Sequence, residues 1–155
     1  MRLVWPLIAI VLIGLLIFGI VRRTSLAPAP KSGPNLPPLP RVPKGGADHG
    51  VETTYVTTTV AGDHTQRVIA RGLGKRCGAV AAVRTDGVLI DRRGAPTLFI
   101  PTHQLDGVRR TESLVVIRWS HGAERLETGL RMRSATDRDR LADRISGLTD
   151  SKGSL

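Results

Sequence analysis

One uninterrupted apolar stretch near the start constrains this chain more than any other feature. Residues Leu3–Val21 read LVWPLIAIVLIGLLIFGIV and contain no charged side chain. At about 1.5 Å of rise per residue, a helix of this length spans about 28 Å, close to the ~30 Å hydrocarbon thickness of a bilayer. Backbone groups in that setting can hydrogen-bond only to one another, so the stretch should be helical. We therefore predict a single transmembrane anchor over residues 1–23.

A cleaved secretory signal is the alternative interpretation of this stretch. Such signals combine a basic start, an apolar run of about 7–15 residues and a small-residue cleavage site. Here the run is longer, Arg22 and Arg23 follow it directly, and Leu26–Ala29 is a poor cleavage site, which favours an uncleaved anchor. More basic residues follow the stretch than precede it, so the positive-inside rule places the rest of the chain in the cytoplasm. We expect a single-pass protein of the plasma membrane with a cytoplasmic C-terminal domain.

A proline-rich linker follows over residues 24–50. It holds seven of the ten prolines of the chain. Proline fixes φ and lacks an N–H group, so neither a helix nor a central strand is expected here. Local polyproline II makes the segment a semi-rigid spacer. Pro37–Pro40 could also dock in an aromatic groove of a partner, although a plain spacer is the simpler interpretation.

From Val51 onward the apolar residues alternate with a period of two, which predicts strands. We expect about seven short strands, with Asp86-Gly87 as the strongest hairpin turn. They are Thr53–Val60, Cys77–Arg84, Val88–Arg92, Thr97–Ile100, Val108–Thr111, Leu114–Ser120 and Glu124–Arg133, and Val68–Arg71 is a further short candidate. Alternation places Val115, Ile117 and Trp119 inside. Another set of side chains likewise shares one face of its strand, namely Leu126, Thr128, Leu130 and Met132.

The last part of the chain has helical spacing instead. Leu141, Ile145 and Leu148 share one face of a helix predicted over Thr136–Gly147, with Gly147 able to end it. Residues 150–155 are predicted to be a disordered tail. The expected fold of residues 51–149 is mainly β: a small antiparallel barrel whose open end is covered by the C-terminal helix.

At this point the chain resembles the small membrane-anchored proteins of actinobacteria that carry a PH-like (pleckstrin-homology-like) domain, some of which are described as transporter or export proteins. The resemblance rests on the anchor, the linker, YVTTTVAG from Tyr55, DGVLIDRRG from Asp86, LFIPTHQLDGVRR from Leu98, and the closing helix. It implies a PH-like barrel of about seven strands capped by that helix. It implies no phosphoinositide site, because the bases that eukaryotic pleckstrin domains carry between their first strands are reduced here to Arg71, Lys75 and Arg76.

No catalytic, cofactor or metal signature is present. The four histidines are widely spaced, and the single cysteine, Cys77, has no partner for an internal disulfide or a metal site. Gly72–Arg76 lacks the hydroxyl residue of a phosphate-binding loop. Aromatic residues make up only 3%, which argues against stacking platforms for nucleic acid. We therefore expect neither an enzyme nor a nucleic-acid partner.

The basic residues are the remaining functional candidates. The chain carries a net charge of +10, and residues from Val51 onward hold 17 basic and 12 acidic side chains. If they converge, the basic residues would bind anionic headgroups or an acidic partner; the alternative is that they are spread over a solvated surface. The candidates are Arg71, Lys75, Arg76, Arg92, Arg93, Arg109 and Arg110.

Two functions are open at this point. The first is a membrane-anchored, non-catalytic PH-like module that engages protein partners or the anionic membrane surface. The second is an accessory subunit of a membrane transport or export system. This subunit would need partner helices, because one helix cannot form an alternating-access path.

Overall fold

The computed structural model describes residues 36–47 and 49–152, which form an antiparallel sheet and one long helix. Short 3-10 turns at Ala70–Gly72 and Thr102–Gln104 interrupt the connections. The elements are β1 Val51–Val60, β2 Asp63–Arg67, β3 Cys77–Arg84, β4 Gly87–Arg92, β5 Leu98–Pro101, β6 Leu105–Arg110, β7 Leu114–His121, β8 Glu124–Arg131 and the helix α1 Ala135–Lys152.

Within the described ranges, no helix combines the length and the apolar character needed to cross a bilayer. The anchor predicted for residues 1–23 lies outside those ranges, as do the last three residues of the predicted tail.

β1 lies at the centre of the sheet. The strand order is β5-β4-β3-β1-β8-β7-β6, and β2 folds back onto β1. The register between β1 and β8 shifts between Tyr55 and Thr57, which marks a bulge where the long strand changes direction. The helix α1 packs mainly on β6 and also reaches β7 and β3, so it contacts both halves of the sheet. The prediction of a mainly β, antiparallel fold with one C-terminal helix is confirmed.

The core lies between the concave side of the sheet and α1. In β7, Val115, Ile117 and Trp119 are fully buried, as period-two alternation predicts. Leu126, Thr128 and Leu130 of β8 are equally buried beside them, with Met132 at the edge. The helix adds Leu141, Ala142 and Ile145 from its apolar face. The interior is thus assembled from alternate strand residues and one helical stripe.

The strand predicted at Val68–Arg71 is wrong. β2 lies earlier, at Asp63–Arg67, and the predicted span holds a 3-10 turn instead. Val68 is buried and its N–H bonds to the Thr58 carbonyl at 2.9 Å, which fixes the chain at the point where it leaves the ladder. Arg71 has φ 59°, a left-handed conformation that a strand does not contain.

The end of the helix also differs from the prediction. α1 continues through Gly147 and ends at Lys152, so residues 150–152 are helical rather than part of a disordered tail. Leu148 packs against the core one residue beyond Gly147, and this contact favours continuing the helix. Gly147 itself is exposed and surrounded by open space, so its missing side chain costs the packing nothing.

The segment predicted as a spacer contributes to the folded unit. Residues 36–47 contain no helix or strand, in keeping with their prolines. Leu36 is only 4% exposed and belongs to the core cluster, and Leu39 packs against that cluster. Ala47 packs on a second, outward-facing apolar cluster made by Ala82, Leu89 and Phe99. The folded unit therefore begins well before Val51.

Candidate binding surface

Three connections of the sheet meet where β1 ends. The Ala61 N–H, in the turn between β1 and β2, donates to the Arg125 carbonyl at the start of β8 at 2.8 Å. The Thr58 N–H donates to the Leu73 carbonyl at 3.0 Å, which fixes the segment between β2 and β3 to the same place. The turn between β7 and β8 lies beside them, since β8 begins there. We call this end of the sheet the loop end.

The first described residues are docked at the loop end too. His121, the last residue of β7, is 6% exposed, and its Nε2 lies 3.3 Å from the Pro37 carbonyl oxygen. Gly122 has φ 62°, and the Pro37 ring fills the space where a Cβ would stand. Leu36 is buried next to this contact. The chain therefore enters the folded unit at the loop end.

A buried chain of hydrogen bonds supports the loop end from below. It joins, in order, Trp119, Thr128, Thr58, Tyr55 and the Leu73 carbonyl, at separations of 3.0, 2.7, 2.7 and 2.6 Å. The indole N–H can only donate and the carbonyl can only accept, so every hydroxyl between them donates towards Leu73. The segment between β2 and β3 is thus connected to the centre of the core.

Burial raises the pKa of the Tyr55 hydroxyl to about 12, because desolvation disfavours the phenolate. Thr58 and Arg92 oppose this shift without cancelling it. Only the neutral hydroxyl can donate to the Leu73 carbonyl. The raised pKa keeps Tyr55 in the protonated form that this hydrogen bond requires.

Arg92, one of the predicted surface residues, is buried instead, at 2% exposure. Its Nη1 donates to the Gly72 carbonyl at 2.8 Å and its Nε to the Pro96 carbonyl at 2.9 Å. The guanidinium also lies over the Tyr55 ring, 4.9 Å from the centroid. Arg92 therefore ties the segment between β2 and β3 to the connection between β4 and β5 and offers no charge to the surface.

Residues 67–76, which we call the basic loop, form the surface above this support. Four cations there are exposed, namely Arg67, Arg71, Lys75 and Arg76. In the part of the chain that the structure describes, none of the four lies within ion-pair distance of a carboxylate. A cleft in this loop is lined by two of these cations, Arg67 and Lys75, together with Ile69, Gly72 and Gly74.

Ile69 stands out among the residues of the basic loop. Its side chain is 49% exposed, one of two large aliphatic side chains left open in the described ranges. The prediction from sequence missed both Ile69 and Arg67. Val68–Arg71 was a short strand candidate, and neither residue was among the binding residues predicted from the sequence.

The other predicted cations lie elsewhere. Arg93 follows β4 and pairs with Glu52 at 3.4 Å. Arg109 lies 3.9 Å from Glu127, and Arg110 pairs with Asp143 of α1 at 3.1 Å. The seven predicted residues therefore divide into the basic loop, one buried residue and separate ion pairs. Over the described ranges, no group of three potential metal ligands comes together.

This architecture, an antiparallel sheet with a helix against its open side and an exposed loop at one end, is that of a PH-like domain. Residues 34–146 match the sequence model of the bacterial PH domain-like family, so the chain belongs to that family. The match begins at residue 34, in agreement with the burial of Leu36. No curated protein matches the chain. PH-like domains are generally non-enzymatic binding modules.

Proposed function

We propose that this protein is a membrane-anchored binding module whose basic loop contacts the anionic surface of the bilayer that holds its anchor. The observation that carries the proposal is a loop with four exposed, unpaired cations, two of which, Arg67 and Lys75, line a cleft with the exposed side chain of Ile69. Cations of this kind are attracted to acidic headgroups, and an aliphatic side chain between them gains by leaving water for the interface.

The strength of such a contact suits a chain that is already tethered. Each surface cation near an anionic leaflet contributes about 1 kcal/mol, so four contribute about 4 kcal/mol at most. That corresponds to a millimolar affinity, too weak to hold a free domain at a membrane. An anchor raises the effective concentration of the loop at its own membrane, so a weak contact becomes populated.

The point at which the chain enters the folded unit supports a contact between the basic loop and the membrane. Pro37 is docked beside Gly122 at the loop end, where the basic loop also lies. The residues that precede it lead, in sequence, to the predicted anchor. The basic loop therefore lies at the end of the folded unit where the described chain begins.

An environment-sensitive fluorophore at position 69 tests the proposal. The full chain carries Cys77→Ala to remove its own thiol and Ile69→Cys to accept the dye, and it is placed in lipid nanodiscs. We expect a blue-shifted, brighter emission in nanodiscs that contain phosphatidylglycerol, compared with phosphatidylcholine alone, because only the anionic surface draws the loop inward.

The matched control carries the dye at Arg140→Cys, an exposed position on α1. Its emission should be the same in both lipids. Equal emission from position 69 in both lipids would refute the proposal and leave a protein partner as the ligand of the loop.

A further inference from the structure

A groove on the outer face of the sheet is separate from the basic loop. It crosses the start of β1 and β3 and reaches the junction of β8 with α1. Three arginines line it: Arg93 at one end, Arg131 and Arg133 at the other. Neither Arg131 nor Arg133 belonged to the basic surface predicted from the sequence.

The register of the sheet explains how these residues come together. Thr54 of β1 pairs with Arg131 of β8 on one side and with Gly78 of β3 on the other. The Arg93 N–H donates to the Gly78 carbonyl at 2.9 Å, which continues the row by one strand. Directly paired residues share a face, and their neighbour Tyr55 points into the core, so this row points outward.

Positive side chains outnumber negative ones in the groove, with three arginines against Glu52 and Asp137. Glu52 pairs with Arg93, and the Asp137 carboxylate lies in the first turn of α1, where the helix dipole stabilises it. Arg131 and Arg133 have no ion pair among the described residues. Both arginines are exposed, and both line the groove. The groove is therefore short of negative charge at this end.

Gly78 of β3 exposes its backbone at the bottom of the groove. Its φ does not lie in the positive region that favours glycine. A Cβ there would come no closer than 3.4 Å to any atom, with the Arg93 side chain nearest, so packing does not require glycine either. A glycine inside a strand often marks a place where a ligand approaches the backbone closely.

We propose that this groove binds an extended acidic peptide of a protein partner. Arg131 and Arg93 are separated by three strand spacings, or about 14 Å. One phosphate group cannot bridge that span, whereas acidic side chains four residues apart on an extended chain are about 13 Å apart. One acidic side chain of the peptide would pair with Arg131 and Arg133. The other would replace Glu52 as the ion-pair partner of Arg93.

Fluorescence anisotropy tests the proposal with the full chain in neutral detergent micelles. The probe is a labelled nine-residue peptide of glycine and serine with two glutamates four positions apart, and the comparison peptide has its two glutamates adjacent. We expect the spaced peptide to bind more tightly. Arg131→Ala should weaken its binding by about fivefold, the upper range for one exposed ion pair.

Glu52→Gln should act in the opposite direction. It frees Arg93, so the spaced peptide should bind about twofold to threefold more tightly. Arg140→Ala, an exposed arginine outside the groove, is the matched control and should change nothing. Equal binding of the two peptides, or an effect of Arg131→Ala no larger than that of the control, would overturn the proposal. Displacement of the peptide by stoichiometric inorganic phosphate would overturn it too and indicate a simple anion site.

Discussion

Replacing Tyr55 with Phe removes one hydroxyl from the middle of the buried hydrogen-bond chain. That hydroxyl donates to the Leu73 carbonyl at 2.6 Å and accepts from Thr58 at 2.7 Å. The Leu73 carbonyl keeps the Thr58 N–H as a partner, so it is not left bare. The Thr58 hydroxyl, however, becomes a buried donor without an acceptor, because Thr128 already donates to it.

The magnitude follows from these two losses. A lost hydrogen bond costs about 1 kcal/mol, and a buried donor without an acceptor costs about 1–3 kcal/mol. We expect Tyr55→Phe to lower the free energy of unfolding by about 2–4 kcal/mol. For a folded unit of this size, that lowers Tm by about 8–16 °C. Circular dichroism of the full chain in detergent micelles during heating measures the change.

The same residue gives a pH dependence that can be observed separately. The pKa of Tyr55 is about 12 in the folded state and 10.0 without the fold. Between these values the unfolded chain loses the phenolic proton while the folded chain keeps it, so stability falls as pH rises. A two-unit difference amounts to about 2.7 kcal/mol. Tyr55 is the only tyrosine, so the ultraviolet absorbance of the phenolate reports on it alone.

Three observations would refute this reasoning. The first is a loss of less than about 0.5 kcal/mol in Tyr55→Phe, the range of surface substitutions. The second is a Thr58→Val variant no less stable than Thr57→Val, its outward-facing neighbour in β1. The third is a phenolate titration in the folded protein with an ordinary midpoint near 10.

Three other substitutions test particular elements of the fold by thermal unfolding. Leu36→Ala should cost about 2–3 kcal/mol because it leaves a cavity in the core. Val42 of the same segment is 44% exposed, so Val42→Ala should cost almost nothing. Equal effects of the two substitutions would contradict a docked segment. Arg92→Leu should cost at least about 2 kcal/mol, because the Gly72 and Pro96 carbonyls lose their donors, and a neutral result would contradict the cross-link. Gly147→Ala should stabilise the chain by about 0.5–1 kcal/mol if the helix continues through it, and destabilisation would restore a helix end at that residue.

The sequence predicted the elements in which alternation picks out the innermost side chains. β7 and β8 are the clearest cases, since every second side chain is fully buried, from Val115 to Trp119 and from Leu126 to Leu130. The inward direction of the Arg92 side chain could also be predicted, because Val88, Ile90 and Arg92 are alternate residues of one strand and share a face. Its charge argued for the surface, and only the two carbonyls that meet it in the fold explain its burial.

The basic loop and the docked segment could not be predicted in the same way. Leu36 and Leu39 are three residues apart, the spacing that places side chains on one face of a polyproline II helix. That spacing indicates an apolar face but not the surface that covers it. Ile69 has no periodic neighbours, and its exposure depends on the 3-10 turn at Ala70–Gly72 and on the left-handed Arg71. The groove depends on the register of four strands, which the sequence does not state.

Hydrogen–deuterium exchange on the unmodified full chain tests the proposed membrane contact most directly. The chain is compared in nanodiscs of phosphatidylcholine alone and in nanodiscs that contain phosphatidylglycerol. We predict that the anionic lipid slows exchange in residues 67–76 and leaves the turn between β6 and β7, at residues 111–113, unchanged. Identical exchange of the basic loop in both lipids, or protection confined to the far end of the sheet, would contradict a binding module that faces its own membrane.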